Sequence, residues 1–128
     1  MNILFEDNDL LAVLKPSMCP TQPTPTGEKS LEDMARAYIK EKYQKPGAVY
    51  LHAVHRLDKA ASGNVLFAKT SKALSRLQEM MRDGAIQKEY IALVEGTLKK
   101  KNGTLEHLLL HGDHRALIHP DGKKSILH

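Results

Sequence analysis

The sequence predicts an α+β fold, a largely antiparallel sheet flanked by helices. Two observations carry this. Short apolar runs and amphipathic stretches are mixed along the chain without the regular strand–helix alternation of a doubly wound parallel sheet. Several of the runs are joined by tight, Asn-, Asp- or Gly-bearing turns that suit hairpins. With 128 residues, the chain suits one small domain with a modest core. Aromatic residues are few, two Phe, four Tyr and no Trp, so that core must be mainly aliphatic.

The elements follow in order. "NILFED" and "LLAVLK" are two strands joined at Asn8-Asp9, and Pro16 ends the second. "PSMCPTQPTPTGEKS" holds four prolines and a glycine, so it is an extended loop with no regular ladder; loops of this length are usually functional or mobile. Ser30 can cap a helix, with Asp33 at the capping-box position, and Leu31, Met34, Ala35, Tyr38 and Ile39 recur at helical spacing as far as about Tyr43. "AVYLHAVHRLD" is apolar-rich. "GNVLFAKT" is a strand interior to a sheet, because Val65 to Ala68 are all apolar. Thr70 or Ser71 caps a second helix with an apolar face of Ala73, Leu74, Leu77, Met80 and Met81, and Gly84 suits its C-terminal stop. "AIQKEYIALVEG" reads as a strand, "KKKNG" as a turn, and "TLEHLLL" as a strand paired back against it. The remainder reads as turns around a short strand near Ala116 to Ile118.

Composition narrows the function classes. A net charge of +4 is compatible with nucleic-acid binding without establishing it. Cys19 is the only cysteine, which rules out an intrachain disulfide and a cysteine-rich zinc site and favours a reducing cytoplasm. The acidic N-terminus is unlike a signal peptide, and no apolar run approaches a membrane span. The chain is therefore expected to be soluble and cytoplasmic, with no membrane partner. His107, His111, His114 and His119 cluster in sequence, but in a strand-and-turn segment a four-residue spacing separates side chains, and no metal site is expected.

The ionisable residues concentrate in "HAVHRLDKAASG", where His55, Arg56 and Asp58 stand just ahead of Ser62-Gly63. Two readings stand. Asp58 and Ser62 satisfy backbone amides in a surface turn, or Asp58 is a reactive carboxylate presented by rigid elements on both sides, with Arg56 on the same side of an extended segment favouring its ionised form.

"HRLDKAASGNVLFAKT" resembles the signature of the RluA/RsuA-type pseudouridine synthases, HRLD-x-x-T/S-SG followed by an apolar strand and "AK". "ILFEDNDLLAVLKPSMCP" is similar to that family's opening, where two strands end in Lys-Pro, and "IQKEYIALVEG" resembles its K-x-Y-x-A-x-V-x-G segment. The three motifs occur in the family's order. The resemblance implies a pseudouridine synthase-like α+β fold. It also implies an enzyme that isomerises uridine to pseudouridine in ribosomal or transfer RNA, by breaking the glycosidic bond, rotating the base and rejoining it through carbon. No cofactor is implied, because nothing is exchanged with a third partner. Asp58 is then the essential carboxylate acting on a flipped-out base. Arg56 fills the vacated space or binds a phosphate, and Tyr90 stacks on the uracil. Lys88, His55 and Lys15 are the remaining RNA-facing candidates; for His55 a role in buttressing the loop is favoured, and Lys15 is expected to be solvated or phosphate-facing.

The family's R-x-H-Q-I-R-like segment, which carries a basic partner for the aspartate, has no counterpart before His128. Residues 1–128 are accordingly expected to be the N-terminal part of one catalytic domain, with no separate RNA-binding domain before it. The sheet edge left open would promote self-association. The alternative to an enzyme is a catalytically silent RNA-binding fragment of the same fold.

Overall fold

In the computed structural model the first strand, β1 (Asn2–Glu6), turns back into β2 (Leu10–Lys15) as an antiparallel hairpin. The turn is closed by the Asp7 carboxylate, whose Oδ1 accepts hydrogen bonds from the backbone N–H groups of Asp9 at 2.8 Å and Leu10 at 2.7 Å. The structure describes residues 1–97, 100–112 and 115–128; Lys99 of the expected Lys99–Lys101 turn, and His114, lie outside the described residues.

Helix α1 (Leu31–Lys42) starts as its sequence requires. The Ser30 hydroxyl accepts from the Asp33 N–H, and the Asp33 carboxylate accepts in return from the Ser30 N–H. After the two-residue strand β3 (His52–Ala53) come β4 (Gly63–Ala68) and helix α2 (Ser71–Arg82). Thr70 caps α2, and Gly84 follows it at φ +70°, a conformation that costs glycine little. The chain then forms β5 (Leu105–His111), β6 (Ala116–Ile118) and β7 (Lys123–Leu127). Every strand pairing among the described residues is antiparallel, within the α+β class expected.

The contacts group into two compact units, residues 1–89 and 90–128. The first holds a four-stranded sheet in the order β1-β2-β4-β3, so β4 is interior, as its apolar run demands. Leu11 and Val13 of β2 face Phe67 and Val65 of β4 across the ladder. These four pack with Leu31, Ala35 and Ile39 of α1 and with Leu51 to form the buried core. That core is aliphatic apart from Phe67.

The second unit holds a three-stranded sheet, β6-β5-β7. Here the structure departs from the sequence reading. Residues 85–94 form no strand, and β5 pairs with β6 and β7 instead of back against them. Tyr90, Ile91, Leu93 and Val94 are exposed, because a strand-forming sequence without a partner ladder has no site for its backbone donors and acceptors. Strand β7 falls where only turns were expected. Its charged residues stay at the surface, with Lys124 paired to Glu106 on β5 at 2.7 Å. α2 is amphipathic as expected, yet none of its residues is fully buried. No helix among the described residues is long and apolar enough to cross a membrane.

Candidate active site

Asp58 sits in the connection between β3 and β4, where its carbonyl accepts the Ala61 N–H at 3.1 Å to close a turn. Its side chain is exposed, and among the described residues no donor is bonded to its carboxylate. A carboxylate that served only to tie the turn would be bonded to main-chain amides. This one is not, and stays available to an incoming group.

The backbone beneath it is held firmly, and by residues far away in sequence. The buried hydroxyl of Thr21 bonds both sides of Leu57, accepting the Leu57 N–H at 3.1 Å and donating to the Leu57 carbonyl at 2.7 Å. The Ser17 hydroxyl donates to the carbonyl of Ala60 at 2.7 Å. The ammonium of Lys15 donates to the carbonyls of Lys59 at 3.1 Å, Pro16 at 3.1 Å and Cys19 at 2.6 Å. The proline-rich loop is thus a clamp that grips residues 57–60 from one side. Leu57 itself packs against the core, fixing the peptide that precedes Asp58.

Lys15 therefore differs from expectation. It is neither solvated nor facing a phosphate; it is fully buried, with 0% exposure. The reason is the pleat. In β2, Leu11 and Val13 point inward, and at period two Lys15 falls on the same face. Its cross-strand neighbour is Gly63, which has no side chain to compete for the space. Burial pushes the Lys15 pKa below the usual lysine range, and electrostatic interaction with Cys19 and Asp58 opposes it.

His55 lies beneath the loop. Its Nε2 accepts the N–H of Leu66 on β4 at 3.3 Å, while its buried Nδ1 has no partner among the described residues. Burial lowers its pKa first, the Lys88 charge lowers it further, and the neighbouring Arg56 main chain opposes both. The ring is accordingly neutral at pH 7, consistent with its accepting role. Val54 N–H bonds the Leu66 carbonyl at 2.8 Å, so two adjacent residues tie the segment to β4. Arg56 is exposed and joins no ion pair among the described residues, so its guanidinium is open to solvent above the loop. Lys88 is exposed and near enough to His55 to depress its basicity.

The first unit thus holds Asp58, Arg56 and His55 on one segment, with Lys88 near His55. Tyr90 opens the second unit, 65% exposed, in the segment that has no ladder partner. Ser17, Thr21 and Gly63 are contributors the sequence reading missed. Nothing in the proline-rich stretch marks Thr21 out from its neighbours; the two-residue period of β2 puts Lys15 on the face of Leu11 and Val13, but the loop that closes over it is not written in that period.

A family model described as RNA pseudouridylate synthase matches residues 9–125. The uncharacterized RNA pseudouridine synthase YhcT of Bacillus subtilis is 32% identical over 133 residues, covering 100% of this chain and 43% of that protein. Ribosomal large subunit pseudouridine synthase C of Escherichia coli is 32% identical, covering 96% of this chain and 38% of that protein. The chain therefore spans about two fifths of the length of these relatives. Among solved structures, human RNA pseudouridylate synthase domain containing 4 superposes with a TM-score of 0.71 at 16% identity, over 98% of this chain and 51% of that one, which shows a shared fold.

Proposed function

Because this chain belongs to the RNA pseudouridylate synthase family, we propose that it takes part in converting uridine to pseudouridine in RNA, with Asp58 as the reacting carboxylate. The observation that carries this is the combination at position 58: an exposed carboxylate with no bonded donor among the described residues, on a backbone clamped by Lys15, Ser17 and Thr21. A group held within a narrow range of positions yet free to react is what positional catalysis requires.

A uridine stacked within an RNA fold cannot reach this carboxylate, so the base is extruded before reaction. Arg56, with a permanently charged planar head, fills the gap left in the RNA or holds a phosphate. Lys88 adds a second cation to the RNA path. His55, as a neutral ring accepting from Leu66, supports the loop from below. The isomerisation breaks the carbon–nitrogen bond to the sugar and forms a carbon–carbon bond to the same sugar, and the proton lost from that ring carbon is replaced by one gained at the ring nitrogen, so it balances without a cofactor. The name of the Escherichia coli relative supports ribosomal RNA as the substrate class.

The test is direct. Asp58→Asn keeps the size of the side chain and removes the carboxylate. We expect pseudouridine formation, read by mass spectrometry of digested RNA, to be lost while RNA affinity stays within about twofold, since one carboxylate contributes little to phosphate binding. Pseudouridine formation by Asp58→Asn at the wild-type rate overturns the assignment. Absence of activity in both chains identifies a silent RNA-binding fragment.

A further inference from the structure

Away from Asp58, the first unit carries a half-open groove of about 600 Å³ between the outer face of α1 and residues 47–52. Arg36 and Lys40, one helical turn apart, form one wall; Tyr50 and His52 form the other, with Gly47 at the rim. The two rings meet edge to face, 4.7 Å apart at 73°. Tyr50 is 39% exposed, so much of its ring remains open to a ligand.

The groove is rigidly built. Glu32, buried beneath it, accepts from Arg36 Nη2 at 2.5 Å and from the Ala53 N–H at 3.1 Å, and Arg36 Nε donates to the Leu51 carbonyl at 3.2 Å. These bonds lock α1 to β3. They also hold Arg36 in place with its charge largely answered by Glu32. Lys40 is exposed and pairs with no carboxylate among the described residues. An aromatic pair beside an unanswered cation is the arrangement by which proteins hold a nucleotide of a single strand, base on ring and phosphate on ammonium. Position matters as well. His52 and Asp58 are six residues apart on one segment, at most roughly 20 Å even if fully extended, which a few nucleotides span.

We propose that this groove is a second RNA contact. It holds a nucleotide flanking the uridine presented to Asp58, with its base against the Tyr50 and His52 rings and its phosphate at Lys40. The pairing with a target uridine rests on the functional reading above; the binding of a single strand by the groove does not.

The experiment measures fluorescence anisotropy of a labelled single-stranded oligouridine of about ten nucleotides, within the usual site size for such contacts, against the full chain over a salt series. Tyr50→Ala is expected to weaken binding roughly 5- to 160-fold, the loss of one stacked base, while Tyr50→Phe, which keeps the ring, binds as wild type. Lys40→Ala is expected to lower the slope of log K against log salt by about 0.7, one phosphate on a single strand. Photo-crosslinking wild type to a 4-thiouridine strand should label Tyr50 or His52, a reading that needs no variant to fold. Unchanged affinity in a Tyr50→Ala chain that melts as wild type does, an unchanged slope in Lys40→Ala, or crosslinks confined elsewhere each overturn the groove. A wild-type chain that binds no RNA, or a groove that takes only a peptide, does the same. If these effects appear while no pseudouridine is made, the catalytic reading falls and the groove stands. If pseudouridine is made and Tyr50→Ala binds normally, the reverse holds.

Discussion

Replacing Lys15 by methionine removes one ammonium while leaving an aliphatic chain of similar length on the inner face of β2. The ammonium donates to three carbonyls, those of Pro16, Cys19 and Lys59. Each charge-assisted hydrogen bond contributes about 1.5–3 kcal/mol, and each buried acceptor left unpaired costs about 1–3 kcal/mol. Against this, taking a charge out of a buried site recovers several kcal/mol of desolvation. Pro16 and Lys59 are exposed residues whose carbonyls can turn to water, whereas Cys19 is half-buried. The balance is a loss of about 2–3 kcal/mol. For a chain of this size that lowers Tm by roughly 6–12 °C, measured by circular dichroism. The local consequence is sharper. Lys15 tethers Lys59, next to Asp58, so the exchange of the Ala61 amide, which bonds the Asp58 carbonyl, should accelerate more than that of the β2 amides. Pseudouridine formation should fall, and the salt dependence of RNA binding should stay unchanged, because a buried ammonium touches no phosphate. A Tm within about 1 °C of wild type, or a salt slope reduced by one phosphate, refutes the reasoning.

Other perturbations follow from the same contacts. Thr21→Val keeps the shape but removes both bonds to Leu57, and should cost about 1–3 kcal/mol by chemical denaturation while lowering kcat more than it raises KM. Gly63→Ala should cost about 1–2 kcal/mol in the same assay, because φ is +145° there and a Cβ would sit 3.3 Å from Leu57 Cδ1; a neutral substitution would show that the turn has slack. Glu6 accepts from Tyr38, Lys42, Tyr43 and Lys69. Burial raises its pKa, but these bonds outweigh burial and hold the carboxyl at about 2, against an ordinary value of 4.5. A depressed carboxylate contributes stability that is fully present above the unfolded pKa and lost as pH falls through the folded one, here between 4.5 and about 2. The shift corresponds to roughly 3 kcal/mol, and screening at the exposed Lys42 reduces that to about 1–2 kcal/mol. Glu6→Gln should flatten that part of the Tm–pH curve, and an equal acid slope in both chains would remove Glu6 as its source.

What was legible in the sequence was local. The capping box of Ser30 and Asp33, the Thr70 cap, the Gly84 stop and the β1–β2 turn each depend on residues within a few positions of one another, and each formed where its pattern placed it. The signature around Asp58 was legible in the same way, as a contiguous string. Residues 85–94 show the limit. Ile86 and the run from Tyr90 to Val94 have the composition of a strand, but a strand exists only if another lies beside it, and pairing is not written in the segment itself.

The sequence by itself determined the α+β class, the two helices with their ends, the interior position of β4 and the string that holds Asp58, because local hydrogen bonding and side-chain periodicity specify these over a few residues. Only the tertiary structure decided that the proline-rich loop is a clamp, that Lys15 is buried in it and that Thr21 grips Leu57. Those bonds join residues 36 to 44 positions apart, and closing such distances is settled by the packing of the whole core.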